Sequence, residues 1–225
     1  MNAYGVTFPL WREAAGETWR AYTCHAFVQG LGDGSLPRAA FVHYLQQDYI
    51  FLTHFSRAWA LAVTKSETVD EMRICAATVH ALINEEIQLH IETCAAEGLS
   101  EQALFAAEEA PANLAYTRYV LERGHAGDLL DLLVTLAPCV MGYGEIGARL
   151  GQQTFATPFR DWIDTYASQG YQQLCHKVGA LIDAVVARRL GLEPVTSPRW
   201  QGLCNSFATA TALEVEFWQM GLNAG

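Results

Sequence analysis

Cys139 lies in the segment with the clearest potential for chemistry, the run LAPCVMGYGE at residues 136–145. Apolar residues on both sides recur with helical spacing, so Cys139 and Tyr143, four positions apart, lie on one helix face. A cysteine thiolate becomes a strong nucleophile when a neighbouring base or polar group assists its ionisation. Gly142 and Gly144 each cost such a helix about 1 kcal/mol relative to alanine. We therefore expect them to leave room for another helix or for a small flat ligand.

Two acidic residues lie on otherwise apolar helical stretches, each followed three positions later by an aromatic residue. Asp48 precedes Phe51, and Glu214 precedes Phe217. The ordinary interpretation is that both carboxylates are solvated and that the rings belong to the core. The alternative is a single pocket that combines a thiol nucleophile, two acids and aromatic rings. The other aromatic candidates for such a pocket are Tyr116 and Tyr166.

The remaining motifs give weak support for metal or nucleotide chemistry. Glu86 and His90 are four residues apart, whereas a di-iron helical bundle needs paired Glu-x-x-His motifs on two helices. The Gly-x-Ser-x-Gly motif of many serine hydrolases is absent. No pair of cysteines forms Cys-x-x-Cys, so a zinc ribbon is not supported. The sequence therefore predicts no metal site and no organic cofactor.

Length, composition and charge narrow the class of protein. The chain has 225 residues, of which 51% are hydrophobic, and this suits one domain spanning residues 1–225. The net charge of −10 argues against a nucleic-acid surface, which normally needs clustered Lys and Arg. No apolar run approaches the ~20 residues of a membrane span, and the N-terminus lacks the features of a signal peptide. We expect a cytoplasmic protein with free thiols and no nucleic-acid or membrane partner.

Helical periodicity extends along the whole chain, and no segment alternates as a strand would. Glycine and proline mark the boundaries between the helical stretches. The predicted helices cover approximately residues 11–30, 35–63, 69–96, 112–122, 128–150, 158–166, 172–190 and 199–220, with a short element after residue 100. The fold class predicted from this pattern is all-α.

Five sequence blocks follow one another along nearly the whole chain. They are HAFVQGLGDGSLP at 25–37, QDYxFL at 47–52, PCxxxYxEIG at 138–147, WIxxY at 162–166 and ExxFW at 214–218. In order and approximate spacing, these blocks resemble the TenA family, also known as thiaminase II or aminopyrimidine aminohydrolase. Each block is weak alone, but together they are specific. The cysteine in the third block resembles the cysteine-bearing branch of that family.

The resemblance implies a haem-oxygenase-like helical bundle without haem, usually assembled as a homotetramer. It implies hydrolysis of 4-amino-5-aminomethyl-2-methylpyrimidine to the hydroxymethyl compound and ammonia, a step in thiamin salvage. Thiamin itself would also be cleaved, to the same pyrimidine and a thiazole. No metal or organic cofactor is implied.

The resemblance also implies roles for individual residues. Cys139 would be the nucleophile and Glu214 its acid/base partner. Asp48 and Tyr143 would hold the polar edge of the pyrimidine. The residues implied to pack or to hydrogen-bond around the ring are Tyr116, Tyr166 and Phe217.

Two departures from the family pattern concern the surroundings of the thiol. Phe51 stands where family members often carry tyrosine, so one hydroxyl group near the nucleophile is missing. Gly142 and Gly144 stand where bulkier residues are often found, and we expect them to enlarge or loosen the pocket. Both departures affect the expected substrate preference more than the expected reaction.

Two other functions remain open at the level of sequence. One is a helical protein that binds a pyrimidine or a haem-like ligand, or has a regulatory role, without turnover. The other is a metal-dependent oxidase of the same bundle class. Ammonia release from the aminomethylpyrimidine distinguishes the hydrolase from the first, and metal analysis distinguishes it from the second.

Overall fold

A computed structural model describes residues 4–154 and 156–224, and every regular element within them is helical. The all-α prediction is confirmed. The α-helices are α1 (Thr7–Ala15), α2 (Glu17–Thr23), α3 (Ala26–Asp33), α4 (Arg38–Lys65), α5 (Val69–Ala81), α6 (Ile87–Ala96), α7 (Glu101–Phe105), α8 (Pro111–Ala126), α9 (Leu129–Gly151), α10 (Arg160–Ala167), α11 (Gln169–Leu190) and α12 (Trp200–Leu222). A π-helical segment, Leu82–Glu86, joins α5 to α6, and a 3₁₀ turn, Pro194–Thr196, precedes α12.

The predicted helix at 11–30 was wrong, because three short helices occupy this region. Gly16 separates α1 from α2 with a φ of 51°, a backbone conformation that glycine adopts without steric cost. A second break follows α2, where His25 adopts an extended ψ of 152°. The His25 side chain accepts a hydrogen bond from the backbone N–H of Phe27 and so caps the start of α3.

The predicted helix at 69–96 is also interrupted, in this case by the π-helical segment. Helix α5 begins with a capping box in which Thr68 and Glu71 satisfy each other's backbone N–H groups. The helical register then widens over Leu82–Glu86 before α6 resumes α-helical geometry. Such π segments inside helices frequently occur at functional sites.

Helix α9 is the central element and packs against α4, α8, α10, α11 and α12. Asp128 and Asp131 form a capping box at its start. Its length and a mean hydropathy of 1.5 over 18 residues are sufficient for a membrane span, which corrects the expectation that no apolar run approaches that length. Because 89% of that window is buried inside the protein, α9 forms the core of this fold.

Aromatic side chains fill the space between α9 and the surrounding helices. Trp218 of α12 stacks on Phe27 of α3 with 4.9 Å between ring centroids, and its ring centre lies 5.3 Å from that of Tyr143 on α9. All three residues are buried. The Trp218 ring also lies 5.3 Å from that of Tyr44 on α4, so this packing fixes the relative positions of the faces of α4, α9 and α12 that carry the candidate site residues.

Candidate active site

Cys139 and Tyr143 project from one face of α9, as their spacing predicts, and both are buried. Burial raises the pKa of the Cys139 thiol well above its usual value, and the nearby carboxyl groups of Glu214, Glu86 and Asp48 raise it further. The thiol is therefore neutral at pH 7 in the unliganded protein. A nucleophilic role requires that a neighbouring group accept its proton.

Glu214 lies on α12 with only 1% of its surface exposed. One of its oxygens, Oε1, accepts a hydrogen bond of 2.8 Å from the hydroxyl group of Tyr116 on α8. Burial raises the pKa of Glu214 to about 8, because the interior disfavours the charged carboxylate. Glu214 is thus a protonated acid at neutral pH, and the interpretation of a solvated carboxylate was wrong.

Asp48 lies on α4 with 3% of its surface exposed, so the solvated interpretation was wrong here as well. Its Oδ2 atom lies 3.0 Å from the hydroxyl group of Tyr44 and 2.6 Å from Nε2 of His90. The Tyr44 hydroxyl in turn lies 3.4 Å from that of Tyr143 and accepts a hydrogen bond of 3.2 Å from Nε1 of Trp162. A continuous hydrogen-bonded chain therefore links Asp48 to the helix that carries Cys139.

The remaining candidates form two aromatic groups. Next to Asp48 and Tyr44, the Tyr166 ring lies 4.9 Å from the Tyr143 ring in an edge-to-face arrangement. Next to Glu214, the Phe51 ring lies 5.0 Å from Tyr116 and 5.5 Å from Phe217. The Tyr44 ring joins the two groups, since its centre lies 6.2 Å from that of Phe217. All eight residues singled out in the sequence are buried. Those eight are Asp48, Phe51, Tyr116, Cys139, Tyr143, Tyr166, Glu214 and Phe217.

Several residues of this region were missed in the sequence. Tyr44 lies four positions before Asp48, so helical spacing alone places the two on one face. Glu86 and His90 were considered only as metal ligands, yet His90 contacts Asp48, and Glu86 Oε1 accepts a hydrogen bond from Tyr166 at 3.2 Å. Within residues 4–154 and 156–224, no group of three His, Cys, Asp or Glu side chains is arranged to hold a metal ion.

The space beside Gly142 and Gly144 is occupied by side chains of the protein. A Cβ atom at Gly142 would lie 2.6 Å from Cζ of Tyr22, and one at Gly144 would lie 2.6 Å from Sγ of Cys175 and 2.9 Å from the hydroxyl oxygen of Tyr4. The expectation that these glycines enlarge the pocket was therefore wrong. They allow close packing of α9 against neighbouring helices, and the alternative of room for another helix is confirmed.

Replacing Gly142 with alanine is expected to destabilise the fold by about 1–3 kcal/mol, because the added methyl group overlaps the buried Tyr22 ring. The free energy of unfolding in denaturant measures this effect. Gly202→Ala is the matched control, since Gly202 is also helical but a Cβ atom there meets no atom within 4 Å. The control should be neutral or stabilising by up to about 1 kcal/mol. Equal effects of the two substitutions would contradict this account of Gly142.

A surface groove of about 700 Å³ lies between α1, α2 and the end of α9, apart from this site. The Arg12 guanidinium pairs there with Glu145, which also accepts a hydrogen bond of 2.9 Å from Nε1 of Trp19. None of the eight residues described above lines the groove. The groove and the buried cluster around Cys139 are therefore separate features.

Comparison with known proteins identifies the relatives of the chain. Residues 12–224 match the TENA/THI-4/PQQC family. An aminopyrimidine aminohydrolase from Halalkalibacterium halodurans is 35% identical over 94% of this chain and 93% of its own length. The crystal structure of a TenA family transcription regulator from Silicibacter sp. TM1040 is 62% identical, with a TM-score of 0.96 and 97% of each chain covered.

A more distant comparison concerns the fold. A domain of unknown function with a heme oxygenase-like fold, from Shewanella denitrificans, has a TM-score of 0.59 at 14% identity. The match covers 97% of this chain and 91% of that domain. The predicted haem-oxygenase-like helical bundle is confirmed.

Proposed function

Because the chain belongs to the TENA/THI-4/PQQC family, we propose that it is an aminopyrimidine aminohydrolase, or thiaminase II, of thiamin salvage. It is a hydrolase that acts on C–N bonds and converts 4-amino-5-aminomethyl-2-methylpyrimidine and water into the hydroxymethyl compound and ammonia. Thiamin is a second substrate, cleaved to the same pyrimidine and a thiazole. The observation that carries this proposal is the buried Cys139 thiol in one aromatic cluster with Glu214 and Asp48.

Glu214 supplies the proton that starts the reaction. An aminopyrimidine is a poor electrophile until one of its ring nitrogens is protonated. Glu214 is protonated at neutral pH, since its pKa is raised to about 8, and it donates this proton to the ring. The resulting carboxylate then accepts the proton of the Cys139 thiol. The net change is the transfer of one proton from sulfur to the ring nitrogen.

Cys139 acts as the nucleophile in the next step. The thiolate adds to a ring carbon, and electrons from the 4-amino group then expel the amine from the 5-methylene carbon. The C–N bond breaks, and the protonated amine departs as ammonia. Water adds to the methylene carbon and gives up one proton to the released ammonia. The bond to sulfur then breaks, and the proton on the ring nitrogen returns to Cys139. Acid/base assistance of this kind is worth about 10²–10⁴-fold in rate.

The other residues bind and orient the ring. The Asp48 carboxylate accepts hydrogen bonds from N–H groups on the polar edge of the pyrimidine, and the Tyr143 hydroxyl provides a second contact. Tyr116, Tyr166 and Phe217 pack around the ring. Phe51 lines the same site, because its ring contacts those of Tyr116 and Phe217. These contacts exclude water and hold the reacting carbon close to the thiol.

We further propose that the protein is a homotetramer in the cytoplasm. Large apolar side chains on its surface support subunit contacts, since Phe105 is 70% exposed and Leu192 is 95% exposed. All six cysteines are unpaired, which suits a reducing compartment. The small-molecule substrate requires neither a nucleic acid nor a membrane as partner.

Purified protein is expected to release ammonia and the hydroxymethylpyrimidine in equal amounts when it is supplied with the aminomethylpyrimidine. In a parallel assay, the protein should cleave thiamin and release the thiazole. The two assays together give the ratio of kcat/KM for the aminomethylpyrimidine to kcat/KM for thiamin. A metal chelator should leave both rates unchanged, and a loss of activity would favour the metal-dependent oxidase. Binding of the pyrimidine without product would contradict the hydrolase. That result would favour the regulatory alternative, which is the role that the name of the Silicibacter relative, a TenA family transcription regulator, gives to that protein.

A further inference from the structure

His90 lies on α6, directly after the π-helical segment, with 5% of its surface exposed. Both ring nitrogens face oxygen atoms that accept hydrogen bonds. Nδ1 lies 2.9 Å from the backbone carbonyl oxygen of Glu86, and Nε2 lies 2.6 Å from Oδ2 of Asp48. A carbonyl oxygen can only accept a hydrogen bond, and an ionised carboxylate likewise only accepts. The ring therefore satisfies both contacts when both of its nitrogens carry a proton.

The contacts of Asp48 fit the same arrangement. Its Oδ2 atom accepts from the Tyr44 hydroxyl at 3.0 Å and from His90 at 2.6 Å. Within the described residues, no donor reaches Oδ1 of Asp48. The two oxygens of this carboxylate therefore have different surroundings. One is held by protein donors, and the other is left to accept a hydrogen bond from a ligand.

We propose that His90 is a positioning residue whose imidazolium holds the Asp48 carboxylate through Oδ2 and leaves Oδ1 to bind the substrate's N–H edge. This inference rests on the proposed function. His90 does not touch the substrate and acts only through Asp48. The π-helical segment contributes by placing the Glu86 carbonyl and the His90 ring together on the side of α6 that packs against α4.

The charged and titratable groups around His90 are Asp48 on α4, Glu86 in the π-helical segment and Tyr166 on α10, which donates to Glu86. Burial opposes the imidazolium, but the hydrogen bond and the charge of Asp48, together with Glu86, raise the pKa of His90 to about 8. Burial also raises the pKa of the Glu86 carboxyl to about 7. The imidazolium is therefore present below about pH 8 and is lost as the pH rises through that value.

The protonation of His90 can be measured directly on wild-type protein labelled with ¹⁵N-histidine. At pH 7 we expect both ring nitrogens of His90 to carry a proton, and we expect Asp48→Asn to remove one of them. The response to Asp48→Asn also identifies the His90 signal without a substitution at His90. A ring with a single proton at pH 7 would overturn the proposal. This measurement needs no turnover, so its outcome is independent of whether the proposed reaction occurs.

Kinetics of His90→Gln test the positioning role. The amide can still donate to Asp48 but carries no charge, so KM for the aminomethylpyrimidine should rise about 10- to 100-fold while kcat changes much less. In the wild type, affinity for the aminomethylpyrimidine should fall above about pH 8, because the His90 imidazolium is then lost. The variant should show no such fall. His80→Gln on α5 is the matched control, because His80 is exposed and contacts Asn84. If the wild-type protein turns over the aminomethylpyrimidine and a folded His90→Gln variant has the same KM, the positioning role is overturned. The proposed hydrolase activity would still stand.

Discussion

Cys139→Ala is expected to reduce ammonia release to less than about one thousandth of the wild-type rate, since loss of a catalytic nucleophile can cost up to about 10⁶-fold. The fold should persist, because the change removes only a sulfur atom from a helix whose other contacts remain. Binding of the pyrimidine should also persist, since Asp48 and the aromatic rings are unaltered. Steady-state kinetics, calorimetric binding of the pyrimidine and thermal unfolding measure these three quantities on one preparation.

The other buried cysteines provide matched controls for this experiment. Cys94 on α6 and Cys204 on α12 are also buried thiols, but the Glu214 carboxyl group, which raises the pKa of Cys139, is not among the groups that raise the pKa of either. Alanine at either position should change stability by about 1 kcal/mol and leave kcat close to wild type. Near-normal hydrolysis by Cys139→Ala would remove the nucleophile assignment. Equal losses at all three positions would indicate a general structural effect.

Glu214→Gln is expected to lower kcat by about 10²–10⁴-fold while changing pyrimidine binding comparatively little. The amide has nearly the same shape as the acid, but it cannot transfer the proton between the thiol and the ring. In the wild type, kcat should fall as the pH rises through about 8, because Glu214 then loses the proton it must donate. The residual activity of the variant should lack this decline. A full pH–rate profile of both proteins measures the effect.

Two further substitutions test whether the pH dependence belongs to Glu214. Tyr116→Phe removes a hydrogen bond that favours the charged carboxylate, so the decline should move to higher pH. Glu216→Gln is the control, because Glu216 is exposed on the same helix. It should leave the profile unchanged. A decline that remains in Glu214→Gln would assign it to another group and remove the acid/base role.

Local spacing was enough to predict the all-α class and part of the site. Cys139 and Tyr143 share a helix face because they are four residues apart, and Asp48 and Tyr44 are related in the same way. The breaks in the helices were harder to predict. Gly16 is compatible with a continuous helix until its positive φ is known, and the π-helical segment changes the periodicity by a fraction of a turn.

Burial and long-range contacts account for the parts that sequence could not supply. The charge environment of Asp48 depends on His90, which is 42 positions later, and that of Glu214 depends on Tyr116, 98 positions earlier. The glycines on α9 were expected to make room for another helix or for a ligand, and nothing nearby in the sequence indicates that Tyr22 fills the space beside Gly142. Contacts of this kind depend on how helices pack, which the period of a single helix does not specify.

The packing of Tyr22 over Gly142 also bears on how relatives of this protein diverge. The two positions are 120 residues apart in sequence, yet they share one volume in the core, only 2.6 Å separating a Cβ atom at position 142 from Cζ of Tyr22. A relative that carries a larger side chain at position 142 must therefore carry a smaller one at position 22. Residues 22 and 142 should therefore covary among family members. Introducing a relative's larger residue at position 142 without its smaller residue at position 22 would create a steric clash.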